Sequence, residues 1–374
     1  MRLLLLKRWD ASWGFWSRYN RLRSMSDKRI LIVGDGLAGT LVAWELLEQG
    51  VDFVVWGDGS PAASDVAAGM FNPVSFRRIL PVWHAQEHLD SARTRYAACE
   101  SHLGVKLWHD VALLRIFPDA AYAAQWDERI AEQHPVSAFI ERCDDGNWHE
   151  SISAPYGAGR IREAGWVDVQ TLVKKSREFW QQRQAWSPTR WNIDDGLPEG
   201  FDAVVDCRGV GAKSDLLRYG LEVRPNQGEV LTLQVPSAVG VETVNNVTWA
   251  MPIAGGQVRI GSTYRWDFME PTVLDASQSV LLDKANAARE NKLFSRDQIT
   301  EHRAGLRPAS PDRRPLVGRV ADAIPWYIVC NGWGTRGVLI GPRTAAWTIQ
   351  SVLDASWEVP AEVRPNRFRT FTNN

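Results

Sequence analysis

The chain reads as an α/β protein: a Rossmann-like dinucleotide-binding domain interleaved with a second, mixed-sheet α+β domain. Three observations predict this. An apolar run at residues 30–33 ends in Gly34-x-Gly36-x-x-Gly39 and passes directly into a helical pattern. A second glycine-rich turn, Asn331-Gly332-Trp333-Gly334-Thr335-Arg336-Gly337, sits between a strand pattern and a helix pattern near the other end. Between them, residues 228–235 and 246–264 alternate apolar and polar side chains around Gly255-Gly256, as antiparallel strands do.

Each glycine of the first turn has its own task. Gly34 permits the tight strand-to-helix turn, Gly36 lets backbone approach a pyrophosphate, and Gly39 lets helix and strand pack closely. A diphosphate then meets unpaired N–H groups around Leu37 and Ala38, at the positive end of the helix dipole. Residues 52–56 (DFVVW) read as the second parallel strand, running into Gly57-Asp58-Gly59. An acidic side chain about 20 residues beyond the glycines usually holds the ribose hydroxyls. Asp58 is the acidic candidate, one place late, and a glycine-flanked turn is the other role open to it.

Further along, residues 83–103 and 166–182 carry amphipathic helical patterns, the second with Asp168 just inside its start. Residues 201–211 (FDAVVDCRGVG) read as a buried strand followed by a glycine-bearing turn. A strand at 326–330, the second glycine turn and a helix at about 338–354 complete the pattern. The expected dinucleotide-binding domain is therefore assembled from residues 27–105, 160–215 and 300–360, with 106–159 and 216–299 forming the other domain.

Composition narrows the partners. A formal net charge of −1 over 374 residues gives no electrostatic reason to favour nucleic acid or an anionic membrane. Cys99, Cys143, Cys207 and Cys330 lie far apart, which argues against zinc, a dithiol pair or a disulfide framework and suits a reducing cytoplasm. No apolar stretch approaches the roughly 18 residues of a membrane span, so integral insertion is not expected. His84-x-x-Glu87-His88 matches an inverted zinc-protease spacing, but it has no identifiable third ligand and reads as an amphipathic helix face; no metal site is expected. The 19 tryptophans are scattered as packing residues. Residues 1–26 are basic and Trp-rich; with Met25 opening MSDKRILIVG, they read as a disordered extension or a mis-assigned start.

Five segments, in order, resemble the FAD-dependent oxidoreductases of the D-amino-acid oxidase and glycine oxidase type. After the first glycine turn, residues 63–73 (ASDVAAGMFNP) are similar to the family's stretch that passes the flavin ring, with Ser64, Ala68 and Gly69 small enough to let backbone lie against it. Gly165-Trp166-Val167-Asp168 resembles the entry to a cofactor-domain helix. Residues 204–211, with Gly209, are similar to the strand and turn returning beside the adenosine. Met251-Pro252 with Arg259-Ile260-Gly261-Ser262-Thr263 looks like the substrate-sheet motif. Gly305-Leu306-Arg307-Pro308, residues 312–318 (DRRPLVG) and the 331–337 turn match the C-terminal signature.

The resemblance implies FAD, bound non-covalently, since the cysteine that carries flavin in the related sarcosine oxidases has no counterpart at 307–318. It implies oxidation of the C–N bond of an amino acid or secondary amine by hydride transfer to flavin N5, with oxygen or another acceptor taking the electrons. Such chemistry asks the protein for orientation and charge stabilisation rather than an acid–base pair. Gly334, Thr335, Arg336 and Gly337 would supply backbone donors and a cation to the reduced flavin. Arg307 matches the arginine that pairs with the substrate carboxylate, a task suited to its planar fork. Trp249 stands where the family often has a tyrosine, which implies a roomier or more apolar pocket. Two other functions remain open: oxidation of a modified tRNA nucleoside side chain, and a non-catalytic role that retains FAD.

Overall fold

The computed structural model describes residues 27–143, 146, 148–235, 240–354 and 356–371, so the basic segment 1–26 lies outside the described residues. A six-stranded sheet holds, in order, Trp186–Ser187, Asp52–Trp56, Arg29–Val33, Ala203–Asp206, Tyr327–Asn331 and Leu316–Arg319. Its strands run parallel except for the last, which is antiparallel. Ile30 and Ile32 enter one apolar cluster while Leu31 and Val33 enter another. A strand covered on both faces requires an unbroken apolar run, which is why this segment lacks alternation. Helices Leu37–Glu48, Ala85–Leu103 and Gly337–Leu353 pack together within the first cluster.

The second sheet has eight strands, in the order Ile299–Ala309, Arg224–Gln234, Gln257–Gly261, Trp249–Ile253, Thr243–Asn245, Leu113–Ile116, Ala158–Ile161 and Ile140–Arg142. Its longest ladder pairs Arg224–Gln234 with Ile299–Ala309, setting Asn226 opposite Arg307 and Gly228 opposite Gly305. The expected boundary at 300 therefore needs correction. The last dinucleotide-domain segment begins with an edge strand of the other sheet, whose mostly half-buried residues give it little alternation to read.

The start of the second long helix also differs from expectation. Gly165–Val167 form a strand between Met70–Phe71 and Trp108–Asp110, and the helix spans Val169–Gln182. Asp168 is its N-cap, with carboxylate oxygens accepting from the Thr171 backbone N–H at 3.1 Å and its hydroxyl at 2.7 Å. This satisfies one of the N–H groups that the helix's own ladder leaves open.

The His84/Glu87/His88 motif does not build a metal site. His84 precedes the helix Ala85–Leu103 and lies 3.1 Å from Glu87. His88 is fully buried against Trp83 and Trp347, and neither ring nitrogen has a hydrogen-bond partner. Among the described residues no group of three His, Cys, Asp or Glu could hold a metal. Burial, followed by the nearby Arg343 and His84 charges, pushes the His88 imidazole down to about 3. Between pH 6.5 and 3 the unfolded chain takes a proton that the folded chain refuses. His88 therefore weakens the fold as pH falls through that window and is without effect above it. Stability should fall by up to about 1.4 kcal/mol per pH unit from this group alone. Denaturant unfolding at pH 7 and pH 5 checks this: His88→Leu should narrow the difference between the two midpoints.

Candidate active site

A cavity of about 540 Å³ opens along the seam between the two sheets. Gly34, Gly36, Leu37 and Ala38 form its wall at the first turn, with Ser64, Ala68 and Gly69 alongside. Gly209, Gly334, Thr335, Arg336 and Gly337 line another side, and Asp58, Trp249 and Arg307 also reach it. Of the candidate residues Gly39 alone is not on the lining. It packs beneath the turn, where an added Cβ would stand 1.8 Å from the Gly34 carbonyl oxygen.

The first turn fits a dinucleotide. No side chain caps the helix Leu37–Glu48, and its first turn carries no acidic residue, so its N–H groups and positive dipole end face the cavity uncompensated. The Ser64 hydroxyl is buried on the same wall without a hydrogen-bond partner among the described residues, as expected of a group waiting for a ligand. Asp58 is exposed and accepts the Ser60 N–H at 2.9 Å, so it does form the glycine-flanked turn, yet it still borders the cavity. Partial burial pushes its carboxyl up. Hydrogen bonds from Ser60 and the charge of Arg190 outweigh this and hold it below the usual carboxylate value.

The two central glycines should therefore fail differently. An added Cβ at Gly36 meets only the Ser64 hydroxyl closely, at 3.1 Å, so Gly36→Ala should fold and lose FAD affinity by about tenfold or more. Gly39→Ala collides with backbone and should not yield folded protein. Fluorescence titration with FAD alongside a thermal melt separates the outcomes.

At the second turn the structure reassigns two expected donors. The Gly334 N–H is taken by the Pro308 carbonyl at 2.8 Å and the Arg336 N–H by Trp333 at 3.1 Å. What remains for an anion at the start of the helix Gly337–Leu353 is the Gly337 and Val338 N–H groups, since those of Leu339 and Ile340 donate to the Arg336 carbonyl at 3.0 Å. Asn331 ties this turn to the adenosine-side turn by donating to the Gly209 carbonyl at 2.9 Å. Burial lowers the Arg336 guanidinium from its usual value, and no carboxylate pairs with it among the described residues.

Next to the second turn, the cavity wall is organised around Arg307. Its Nη1 donates to Asn226 Oδ1 at 2.9 Å and to the Thr263 carbonyl at 3.3 Å, and the guanidinium lies 4.8 Å from the Tyr264 ring centre. Burial lowers it from the usual arginine value, and its described partners are all neutral. Gly228 makes this placement possible, since a Cβ there would stand 1.7 Å from Arg307 Nη2. Trp249 is buried and packs over Gly261, presenting an apolar wall. Asn226, Gly228 and Tyr264 escaped the sequence reading because their roles arise from cross-strand register.

Replacing Arg307 with Met should raise KM for a carboxylate substrate roughly 100-fold, through loss of a charge-assisted pair. Gly228→Ala should push KM in the same direction by displacing the guanidinium, while FAD binding persists. Steady-state kinetics and FAD titration on both variants check the pair.

A dinucleotide cradle and, on the same cavity's lining, an arginine with no carboxylate partner among the described residues fit a nucleotide-cofactor oxidoreductase. Residues 29–351 match the family model DAO, FAD dependent oxidoreductase, and the chain belongs to that FAD-dependent family. It is 26% identical over 381 residues to the tRNA 5-methylaminomethyl-2-thiouridine biosynthesis bifunctional protein MnmC of Azoarcus sp. (strain BH72), covering 88% of this chain and 57% of that protein. The corresponding protein of Thiobacillus denitrificans is 27% identical over 381 residues, at 92% and 60% coverage. This chain thus spans less than two thirds of the length of these relatives. Glycine oxidase from Bacillus cereus ATCC 14579 shares the fold with a TM-score of 0.74 at 18% identity, over 89% of this chain and 96% of that one. Iminodiacetate oxidase from Chelativorans sp. BNC1 does so with 0.74 at 21%, over 89% and 98%. No helix among the described residues is long and apolar enough to cross a membrane.

Proposed function

We propose that this protein oxidises the C–N bond of a carboxylate-bearing amine, an amino acid or an N-substituted one. The observation that carries the reading is Arg307, a half-buried guanidinium on the cavity wall whose described partners are neutral. Leaving a buried cation without a counter-ion is costly unless a ligand supplies one. FAD, when bound, would supply the two-electron acceptor for the α-hydrogen leaving as hydride, and the amine, having also lost its N–H proton, would become an imine open to hydrolysis. Arg307 holds the carboxylate as a bidentate fork and fixes which C–H faces the cofactor. Trp249 excludes water beside the reacting carbon and offers no acceptor to compete for the amine. Arg336 and the N-terminus of the helix Gly337–Leu353 place positive potential where charge develops on reduction. Oxygen or another acceptor then removes the electrons.

A second reading places the same chemistry on a modified nucleoside of tRNA. The MnmC relatives, named for tRNA 5-methylaminomethyl-2-thiouridine biosynthesis, favour it. So does the exposure of Tyr264, which borders the cavity, and of Trp266 in the same segment, since exposed rings offer stacking surfaces. Anaerobic spectra of the FAD-loaded protein distinguish the readings. Bleaching by free amino acids or N-alkyl glycines is expected, and admitting air then tells oxidase from dehydrogenase. Bleaching only by tRNA would transfer the assignment to the second reading. A flavin that neither reduces would leave a non-catalytic, FAD-retaining protein.

A further inference from the structure

We infer that the substrate carries a second anchor, an acceptor oxygen at the end remote from its carboxylate, and that Asn245 receives it. This inference rests on the amine-oxidation reading and names a substrate class within it. Asn245 ends the strand Thr243–Asn245, is more than nine-tenths buried, and lines the cavity four strands away from Arg307. Arg115 Nη1 donates to its Oδ1 at 2.6 Å. Arginine only donates, so the atom facing it must be the oxygen, and the Asn245 amide nitrogen must face the other way. That nitrogen has no acceptor among the described residues. Arg115 is itself fixed: it also donates to the Asn246 carbonyl, and its guanidinium lies 5.1 Å from the Phe76 ring centre and 5.2 Å from that of Tyr122. Arg115 is therefore a positioning residue that aims a neutral N–H₂ donor.

Register gives the span. Asn245 lies opposite Trp249, Trp249 opposite Gly261, and Gly261 opposite Val230, two residues along the strand from the Gly228 beneath the Arg307 guanidinium. Three strand spacings and two residues of rise separate the anchors by on the order of 15 Å. Hydrogen bonds of about 2.9 Å at each end leave roughly 10 Å for the substrate. The intervening wall, from Trp249, Val230 and Met70, is apolar. A glycine-sized substrate would leave the Asn245 donor unused. The wall suits an amine whose substituent is an apolar spacer ending in a carboxamide, carboxylate or other carbonyl oxygen.

The test uses the full FAD-loaded chain and two N-substituted glycines of equal length, one ending in a carboxamide and the other in a branched alkyl group of the same shape. Anaerobic flavin reduction should favour the carboxamide by about tenfold or more in kcat/KM. Asn245→Leu and Arg115→Met should each bring that ratio toward one. Asn245→Asp should make a terminal methyl ketone, which can only accept, poorer than the alkyl group while sparing the carboxamide, whose N–H₂ can donate to the new acceptor, and it serves as an independent variant should one of the others fail to fold. Calorimetric binding of a non-oxidisable dicarboxylic acid monoamide, against the matching monocarboxylate, should show the same preference without turnover. Equal reduction of both glycines, or a ratio unmoved by any variant, would overturn this inference alone. A loss of FAD affinity in Asn245→Leu would also overturn it, by assigning the donor to the cofactor. If no carboxylate-bearing amine reduces the flavin, the amine-oxidation reading falls as well.

Discussion

The ladder between Arg224–Gln234 and Ile299–Ala309 is the constraint on which the site depends. It seats Arg307 across from Asn226 and lets the guanidinium lie over Gly228. The same strand then reaches the other sheet's territory: Pro308 accepts the Gly334 N–H, and Ala309 bridges to Trp333. One strand thus carries Arg307 and also fixes the turn that opens the helix Gly337–Leu353. Strand register has a period of two, so a one-residue slip would turn Arg307 to the opposite face and detach it from both partners. Bringing the anchor and that helix start to one cavity is therefore a matter of register before it is a matter of side-chain chemistry.

The parts legible in sequence are those governed by local rules. The first strand, its glycine turn and the following helix are contiguous, and at Gly39 an added Cβ would stand 1.8 Å from the carbonyl oxygen of Gly34, a neighbour only a few residues away. The family likeness carried attention to Arg307 and the second turn. It could not show that the Gly334 and Arg336 N–H groups are already engaged. Nor could it show that the boundary at 300 cuts through a strand of the eight-stranded sheet. Asn226 and Gly228 had no local signal at all, because an asparagine and a glycine become a cradle only when a strand some 81 residues later pairs with them. Asn245 is the same case, since its meaning depends on Arg115, 130 residues before it.

Three arginines on the cavity wall show how burial and pairing separate structure from function. Arg208 lines the cavity, but its Nη2 lies 2.6 Å from Asp206 and 2.7 Å from Asp215, and Tyr327 donates to the same Asp206 at 2.7 Å. That charge is neutralised within the protein, and its work is to lock the turn that carries Gly209 beside the strand Ala203–Asp206. Arg307 and Arg336 are buried to a similar degree of shelter from water, yet they have no carboxylate among the described residues. The distinction decides which of them a ligand can use. A guanidinium already paired gains little from a further anion, whereas one held by neutral acceptors has its desolvation offset only when an anion arrives.

The same reasoning orders the cavity along its length. Uncapped helix N–H groups and the unpartnered Ser64 hydroxyl occupy the end where a diphosphate would lie. Arg307 and Arg336 follow where negative charge would be carried by substrate and by reduced cofactor. Beyond Trp249 the wall becomes apolar and ends at one neutral donor, Asn245. A cavity built for the cofactor and a two-carbon amino acid would have no use for that last section. On the proposed reading, the sequence of cation, apolar wall and neutral donor would discriminate by substrate length and terminus once Arg307 holds the carboxylate.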